Sequence, residues 1–306
     1  MPALDRDSLR AALTLIRRCR TVGYDRVHID AGTNRITLTA PDIDGDITTV
    51  VAGSSLGGGR WTVPGIELVR RTREPGGPVT LDGPPVGPAH TRPDAGSLVA
   101  VVAGHDLAAA AKVALLAADG KAVTVPLLRC FASARLTIGR DAATFHTTNR
   151  FVAAEVTVPA SCDAEIDAAT VVLPQRTMFA LTSLTGPAQI FRDSQVWRFV
   201  TRSTTVTLSD PDEDYPDLDL ATWQVAPAAS GLTRLRPATA DRVRVDVDGN
   251  TVLIDPDILT LVARIVGSRT TRVSVSRLPA GEDPVRFEPV TQPGVTRTAW
   301  VMPRPA

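Results

Sequence analysis

Aromatic residues and lysine are scarce in this sequence. Aromatic side chains make up 4% of the 306 residues, and the two tyrosines are Tyr24 and Tyr215. Single-stranded nucleic acids are held largely by stacking on such rings, so we expect no single-strand binding platform. Lysine occurs only at Lys112 and Lys121, which leaves nearly all the positive charge on arginine. The planar guanidinium of arginine suits phosphate oxygens.

Net charge, paired cysteines and long apolar runs are also missing. Lysine and arginine together number 33, as do aspartate and glutamate, so any contact with nucleic acid has to come from a local patch. Cys19, Cys130 and Cys162 show no CxxC spacing, which is typical of a reducing compartment. No apolar run approaches the roughly 18 residues of a membrane span, and the first ten residues contain no apolar signal segment. We therefore expect a cytoplasmic protein without membrane contact.

The sequence contains no recognisable catalytic constellation. The stretch "GSSLG" at 53–57 has the spacing of a nucleophile elbow around Ser55, but that motif needs a helix directly after it. Here a glycine-rich stretch and another predicted strand follow. The four histidines lack metal-ligand spacing, and the acidic stretch 210–220 has no histidine nearby. We expect no enzyme activity, no metal and no cofactor.

An internal repeat organises the chain. Three segments each predict a short strand, a proline in the first helical turn, about three turns of amphipathic helix and a glycine stop. Their prolines and glycines are Pro64, Pro174 and Pro256, and Gly76, Gly186 and Gly267. A second kind of segment starts at Asp7 and again at His105, and continues from a helix into alternating strands. This pattern predicts an α+β fold of repeated helix and antiparallel-sheet modules.

Proline and glycine density predicts the domain boundaries. Two stretches rich in these residues, 83–96 and 222–240, are typical of linkers or clipped loops. We therefore predict a first domain at 1–95, a second at 96–222 and a shorter third at 223–306.

The first two predicted helices carry arginines on one side. Leu9, Ala12, Leu13 and Ile16 have the spacing of one buried stripe in the first helix. The arginines are Arg10, Arg17 and Arg18 on its other side, Arg20 just beyond it, and Arg70, Arg71 and Arg73 in the second helix. Two interpretations stay open: these side chains contact phosphates, or they interact favourably with the helix macrodipole.

The order and content of these modules resemble the bacterial sliding clamp, the β subunit of DNA polymerase III. Six pieces follow the family's order and cover most of the chain: "RITLTAPDIDGDI", "TVPGIELVRR", "TTNRFVAAEV", "LPQRTMFAL", "DYPDLDL" and "VMPRP". The resemblance implies a DNA-clamp fold with three similar domains, the third truncated. It also implies a replication processivity factor that holds double-stranded DNA without reading its sequence and tethers polymerases or repair factors.

The resemblance further implies two sets of site residues. Duplex DNA is held through phosphate contacts by helix arginines, at Arg10, Arg17, Arg18, Arg20, Arg70, Arg71 and Arg73. A short hydrophobic peptide of the partner protein enters a pocket formed by Arg150, Phe151, Ile258, Trp300, Met302 and Pro303. Thr147, Thr148 and Asn149 stand where the family has aspartate, glycine and histidine, so the preferred peptide differs from the usual one.

Two regions depart from the family pattern. The first predicted domain lacks strands after "PVTLDG", and the third lacks its opening helix and several strands. In the family these regions supply the interface between the two head-to-tail subunits of a ring. The sequence therefore leaves two forms open: a homodimeric clamp, or a monomeric clamp relative that acts as a protein-interaction or regulatory module.

Overall fold

The structure is a computed structural model. It describes residues 2–19, 25–32, 35–42, 45–55, 57–87, 96–122, 126–162, 168–209, 215, 229–234, 243–247, 250–268, 270–275, 284–290 and 294–301. Tyr215 is the part of the "DYPDLDL" piece that falls within these ranges.

Five α-helices lie within these ranges. They are α1 (Arg6–Cys19), α2 (Gly65–Arg73), α3 (Gly104–Ala117), α4 (Gln175–Leu181) and α5 (Pro256–Val266). A 3-10 helix covers Pro126–Ala132. No helix in the described part of the chain has the length and apolar character needed to cross a membrane.

The strands fall into three groups along the chain. The first group is β1 (Pro2–Leu4), β2 (Val27–Ala31), β3 (Ile36–Asp42), β4 (Gly45–Val51), β5 (Gly53–Ser55), β6 (Gly59–Val63) and β7 (Val79–Thr80). The second is β8 (Ser97–Ala103), β9 (Ala134–Ile138), β10 (Ala142–Thr148), β11 (Val152–Cys162), β12 (Ala169–Leu173), β13 (Pro187–Asp193), β14 (Val196–Val200) and β15 (Thr204–Ser209). The third is β16 (Ala229–Arg234), β17 (Val243–Val247), β18 (Asn250–Ile254), β19 (Thr270–Val275), β20 (Val285–Pro289) and β21 (Thr296–Val301).

Contacts group the chain into two compact units. The first unit contains Met1–Ala108, Cys162–Ala164 and Phe179–Pro211, and the second contains Ala109–Ser161, Glu165–Met178 and Asp212–Ala306. All five points at which the chain passes from one unit to the other fall inside the predicted second domain, 96–222, so that domain contributes to both units. The division into three domains stays a prediction.

The first unit is built on one antiparallel sheet of eight strands. Their order is β8-β13-β14-β15-β4-β3-β2-β6. A smaller sheet in the same unit has the order β5-β1-β7. Leu9, Leu13 and Ile16 of α1 are buried with Leu68 of α2 in its core, as the stripe predicted for α1 requires.

The second unit repeats the eight-stranded arrangement. Its order is β16-β19-β20-β21-β11-β10-β9-β12, and a separate hairpin joins β17 to β18. Phe145, Phe287 and Trp300 are among its fully buried side chains. With five helices and antiparallel sheets, the described residues confirm the α+β class.

The ends of α5 show how local sequence sets a helix. The Asp255 side chain accepts a hydrogen bond from the backbone N–H of Asp257, and Pro256 occupies the first helical position, where a missing N–H costs little. Gly267 ends the helix in a left-handed conformation with φ 72° and donates its N–H to the Ala263 carbonyl. The predicted stops Gly76 and Gly186 instead lie beyond the last turns of α2 and α4.

Candidate functional site

Two arginines of α1 bond to the carboxyl end of α2. Arg6 donates to the carbonyls of Arg71 at 2.6 Å and Gly77 at 2.8 Å, and also to the carbonyl of Glu74. Arg10 donates to the Thr72 carbonyl at 2.8 Å. The last carbonyls of a helix have no partner inside it and carry partial negative charge, so both guanidinium groups stabilise the end of α2. Arg10 is therefore partly engaged within the unit.

The arginines of α2 differ in how far they are engaged by carboxylates. Arg70 forms ion pairs with Glu67 and Glu74, each at 2.8 Å. Arg71 pairs with Glu67 at 2.9 Å and with Asp82 at 3.2 Å. Hydrogen bonds from the two arginines hold the pKa of Glu67 down at about 2. Much of the positive charge predicted for this helix is thus balanced locally.

Within the described residues, three of the predicted DNA-contacting arginines have no such partner for their side chains. The Arg17, Arg18 and Arg73 side chains are exposed and make no hydrogen bond or ion pair with another residue in the described ranges. Arg20 lies outside the described residues. The structure thus separates exposed cations at the carboxyl ends of α1 and α2 from those committed to local contacts.

The predicted peptide-binding residues begin at the turn between β10 and β11. Arg150 has φ 79°, a left-handed backbone conformation that is uncommon for a residue other than glycine. The Asn149 side chain accepts hydrogen bonds from the N–H groups of Phe151 and Val152, and the Thr148 hydroxyl accepts one from Arg150. The residues that replace the family's aspartate-glycine-histidine stretch therefore help to fix this turn.

Arg150 is surrounded by one carboxylate and two rings. Its guanidinium pairs with Asp119 at 3.3 Å and lies 5.6 Å from the Phe131 ring centroid and 5.8 Å from that of Phe151. Phe151 is 43% exposed. Cation–π contact orients the arginine beside the partly exposed ring of Phe151.

The β11–β21 pairing brings the carboxyl-terminal part of the chain to this turn. Val152 lies opposite Val301, and Ala153 lies opposite Trp300. Trp300 is fully buried, so its side chain belongs to the core of this unit rather than to an exposed pocket wall. Met302 and Pro303 follow Val301 in the sequence but lie outside the described residues.

Ile258 lies on α5, which packs against β20 and β21. Its side chain is half-buried, whereas Leu259 and Val262 of the same helix are in the core. The structure therefore places Ile258, Arg150, Phe151 and Trp300 within one unit.

Several supporting residues escaped sequence analysis. Asp119 and Phe131 hold Arg150 from 31 and 19 positions away, and no local spacing relates them. Glu67 could have been found, because it stands three and four residues before Arg70 and Arg71, the spacing of helical ion pairs.

Tyr215, the described residue of the "DYPDLDL" piece, contacts β9 and β10. Its hydroxyl donates to the His146 carbonyl at 2.9 Å, and the Arg135 guanidinium lies 5.6 Å from its ring centroid. Burial raises the pKa of Tyr215 above its ordinary value. Among the residues that the structure describes, no group of three or more histidine, cysteine or acidic side chains is placed to hold a metal ion.

Comparison with solved structures identifies the class of fold. No protein-family model and no curated protein matches the sequence. Solved structures of bacterial sliding clamps, by contrast, match it from end to end. The chain has the DNA-clamp fold, and the resemblance seen in the sequence is confirmed at the level of the fold.

Three of these structures illustrate the likeness. The Helicobacter pylori β clamp bound to a DNA ligase peptide has a TM-score of 0.79 at 11% identity, over 100% of both chains. The DNA polymerase III β subunit of Thermotoga maritima has 0.77 at 12%, over 100% of this chain and 99% of the other. The β subunit of Pseudomonas aeruginosa has 0.74 at 15%, over 100% of both.

Proposed function

We propose that this protein is a sliding-clamp-like processivity factor that contacts duplex DNA without sequence preference and tethers a polymerase or repair protein. Its end-to-end fold match to β clamps is the observation that carries the proposal. Its action is non-covalent binding, and we propose neither a catalytic step nor a cofactor for it. A cytoplasmic location is part of the same proposal.

Arginine placement supports DNA contact. Arg17, Arg18 and Arg73 are exposed cations on two helices that pack together in one unit. Contacts from such side chains to phosphates give affinity without base reading, as a protein that slides along DNA requires. We assign these three the main part of DNA binding and give Arg10, Arg70 and Arg71 a largely structural part. Arg20, outside the described residues, stays a predicted contact.

The β10–β11 turn supports partner binding. It presents Phe151 beside Arg150, at the end of β11 that pairs with the last described residue of β21. A peptide side chain packed on Phe151 removes apolar surface from water, while Arg150 contributes directed polar contacts. Ile258, Met302 and Pro303 complete the proposed pocket, with Trp300 as its buried support. The DNA ligase peptide on the Helicobacter pylori clamp makes such a peptide a suitable probe.

Peptide binding tests this proposal. The intact protein is titrated against a labelled clamp-binding peptide, and affinity is measured by fluorescence anisotropy. We expect Phe151→Ala to weaken binding about tenfold or more, because exposed aromatic anchors dominate such interfaces. Phe179→Ala is the matched control, since Phe179 is a similarly exposed phenylalanine, at 38%, on α4. Equal affinities for both variants and the unmodified protein rule out the pocket.

A further inference from the structure

Each eight-stranded sheet consists of two halves. One half, called here the meander half, is β8, β13, β14 and β15 in the first unit and β16, β19, β20 and β21 in the second. The other, called here the hairpin half, is β6, β2, β3 and β4 in the first unit and β12, β9, β10 and β11 in the second. The halves join in the same way in both units, through one antiparallel strand pairing that is called here the junction. The junction is β15 with β4 in the first unit and β21 with β11 in the second.

Two pieces outside these sheets correspond to incomplete halves. The β1–β7 pair matches the first two strands of a meander half, because β7 follows α2 and pairs with an early strand as β13 follows α4 and pairs with β8. The β17–β18 hairpin matches β9 and β12 of a hairpin half, since β18 directly precedes a helix, as β12 does. In a complete half, two strands lie nearer to the junction and two lie farther from it. Each piece corresponds to the two that lie farther from it.

The strands that form a junction have no counterparts in these pieces. Only residues 248–249 separate β17 from β18, whereas the corresponding β9 and β12 are separated by β10 and β11. After β7, the described residues 81–87 contain one isolated bridge, between Arg60 and Gly87, and no strand. The next eight residues are fewer than the 14 that β14 and β15 span with their turn.

The edge of β7 that faces away from β1 is also covered by a charged side chain, that of Arg71. Thr80 lies opposite Ala3, and the adjacent Leu81 N–H donates to the Pro2 carbonyl, so the Thr80 carbonyl points away from β1. Arg71 donates to that carbonyl at 3.0 Å and pairs with Asp82. A charged side chain at a sheet edge opposes the addition of another strand. In β13 the same edge is occupied by β14.

We infer that this protein does not close into a ring by joining a second copy of itself through a third such sheet. A meander half from one copy and a hairpin half from another would both lack the strands that meet at the junction. The chain is therefore a monomer in solution. The consequence of a monomeric state for DNA rests on the proposed function: a monomer binds duplex from the side, is held by phosphate contacts alone and is not topologically linked to it.

The mass of the intact protein in solution tests the inference without DNA. Light scattering across a wide concentration range is expected to give one species at 32.4 kDa. A stable species at twice that mass overturns the inference. Because this measurement involves no ligand, it is independent of whether the protein binds DNA or peptide.

Retention on DNA supplies a second test. The protein is loaded on closed circular duplex or on the same duplex after linearisation, and each is washed with salt. We expect equal loss from both, since dissociation needs no free DNA end. Selective retention on the circle shows topological linkage and overturns the inference. Failure to bind either duplex at low salt instead refutes the proposed function and leaves the mass result in force.

Discussion

Arg150 adopts a left-handed backbone conformation, which is unfavourable for a residue that carries a Cβ atom. Such a residue costs on the order of 1–3 kcal/mol unless its surroundings compensate. Here the compensation comes from Asp119, from the ring of Phe131 and from the hydrogen bonds of Thr148 and Asn149. The turn therefore stores strain at the position proposed to meet the partner peptide.

Two substitutions at this position separate strain from contact. Arg150→Ala removes the ion pair and the ring contacts but keeps the strained backbone, whereas Arg150→Gly removes the same interactions and relieves the strain. We expect the glycine variant to be more stable than the alanine variant by about 1 kcal/mol in urea unfolding. Both variants bind the clamp peptide weakly. A glycine variant less stable than the alanine variant contradicts this interpretation of the turn.

Cys19 differs from the other two cysteines in accessibility. It is buried at the end of α1, and burial raises the pKa of its thiol to about 12. We expect a thiol-alkylating reagent to label Cys130 and Cys162 in the native protein well before Cys19, as read by peptide mass spectrometry. Unfolded protein, in which all three react, is the control. If Cys19 is labelled as fast as the other two in the native state, the carboxyl end of α1 is accessible to the reagent and the burial described for Cys19 is wrong.

At the scale of elements, α2 is held by charges that depend on pH. The pKa of Glu67 is about 2 in the folded chain, against an ordinary value of 4.5. A lowered pKa gives stability that is present above pH 4.5 and is lost as the pH falls toward 2. We expect the difference in Tm between the unmodified protein and Glu67→Gln to shrink across that interval. A difference that stays constant over this range shows that the arginine bonds contribute no pH-dependent stability.

The edge of β7 gives a second prediction for an element. Arg71→Ala leaves the Thr80 carbonyl without its cation and opens a sheet edge. We expect this variant to associate as its concentration rises, measured by sedimentation velocity. Arg73→Ala is the control, because it removes an exposed charge from the same helix without touching β7. If the Arg71→Ala protein stays as monodisperse as the control, Arg71 does not prevent association through the β7 edge.

Local sequence patterns predicted the elements better than their partners. The apolar stripe of α1 is buried, and proline begins α5 where the pattern placed it. The pairing of β4 with β15 joins Thr49 to Thr204, and alternation within a strand carries no information about so distant a partner. Candidate-site residues show the same limit: spacing finds Arg70, but only the fold shows which carboxylate engages Arg150.

At the scale of the whole molecule, two equivalent sheets account for most of the strands in the described residues. Each is assembled from strands that lie far apart in sequence, and the pieces of a third are too short to form one between copies. The chain thus has the clamp fold, but its β1–β7 and β17–β18 pieces lack the strands that pair where the two halves of a complete sheet join. A second copy could not close a ring through such a pairing. Any hold on DNA then depends on the strength of phosphate contacts.

The salt dependence of DNA binding is the most direct test of the proposed function. The unmodified protein is compared with a variant in which Arg17, Arg18 and Arg73 are all alanine. Its control replaces three exposed arginines on sheet turns and strands with alanine, namely Arg140, Arg202 and Arg272. The net charge change is therefore the same in both variants.

We expect the unmodified protein to bind duplex DNA, with an affinity that falls as salt rises. The plot of log affinity against log salt concentration should become shallower by about 0.9 for each phosphate that the variant no longer neutralises, or up to about 2.7 for the helix variant. The control should keep the original slope. Equal slopes for the helix variant and the unmodified protein, or no DNA binding by the unmodified protein at low salt, would contradict the proposed function.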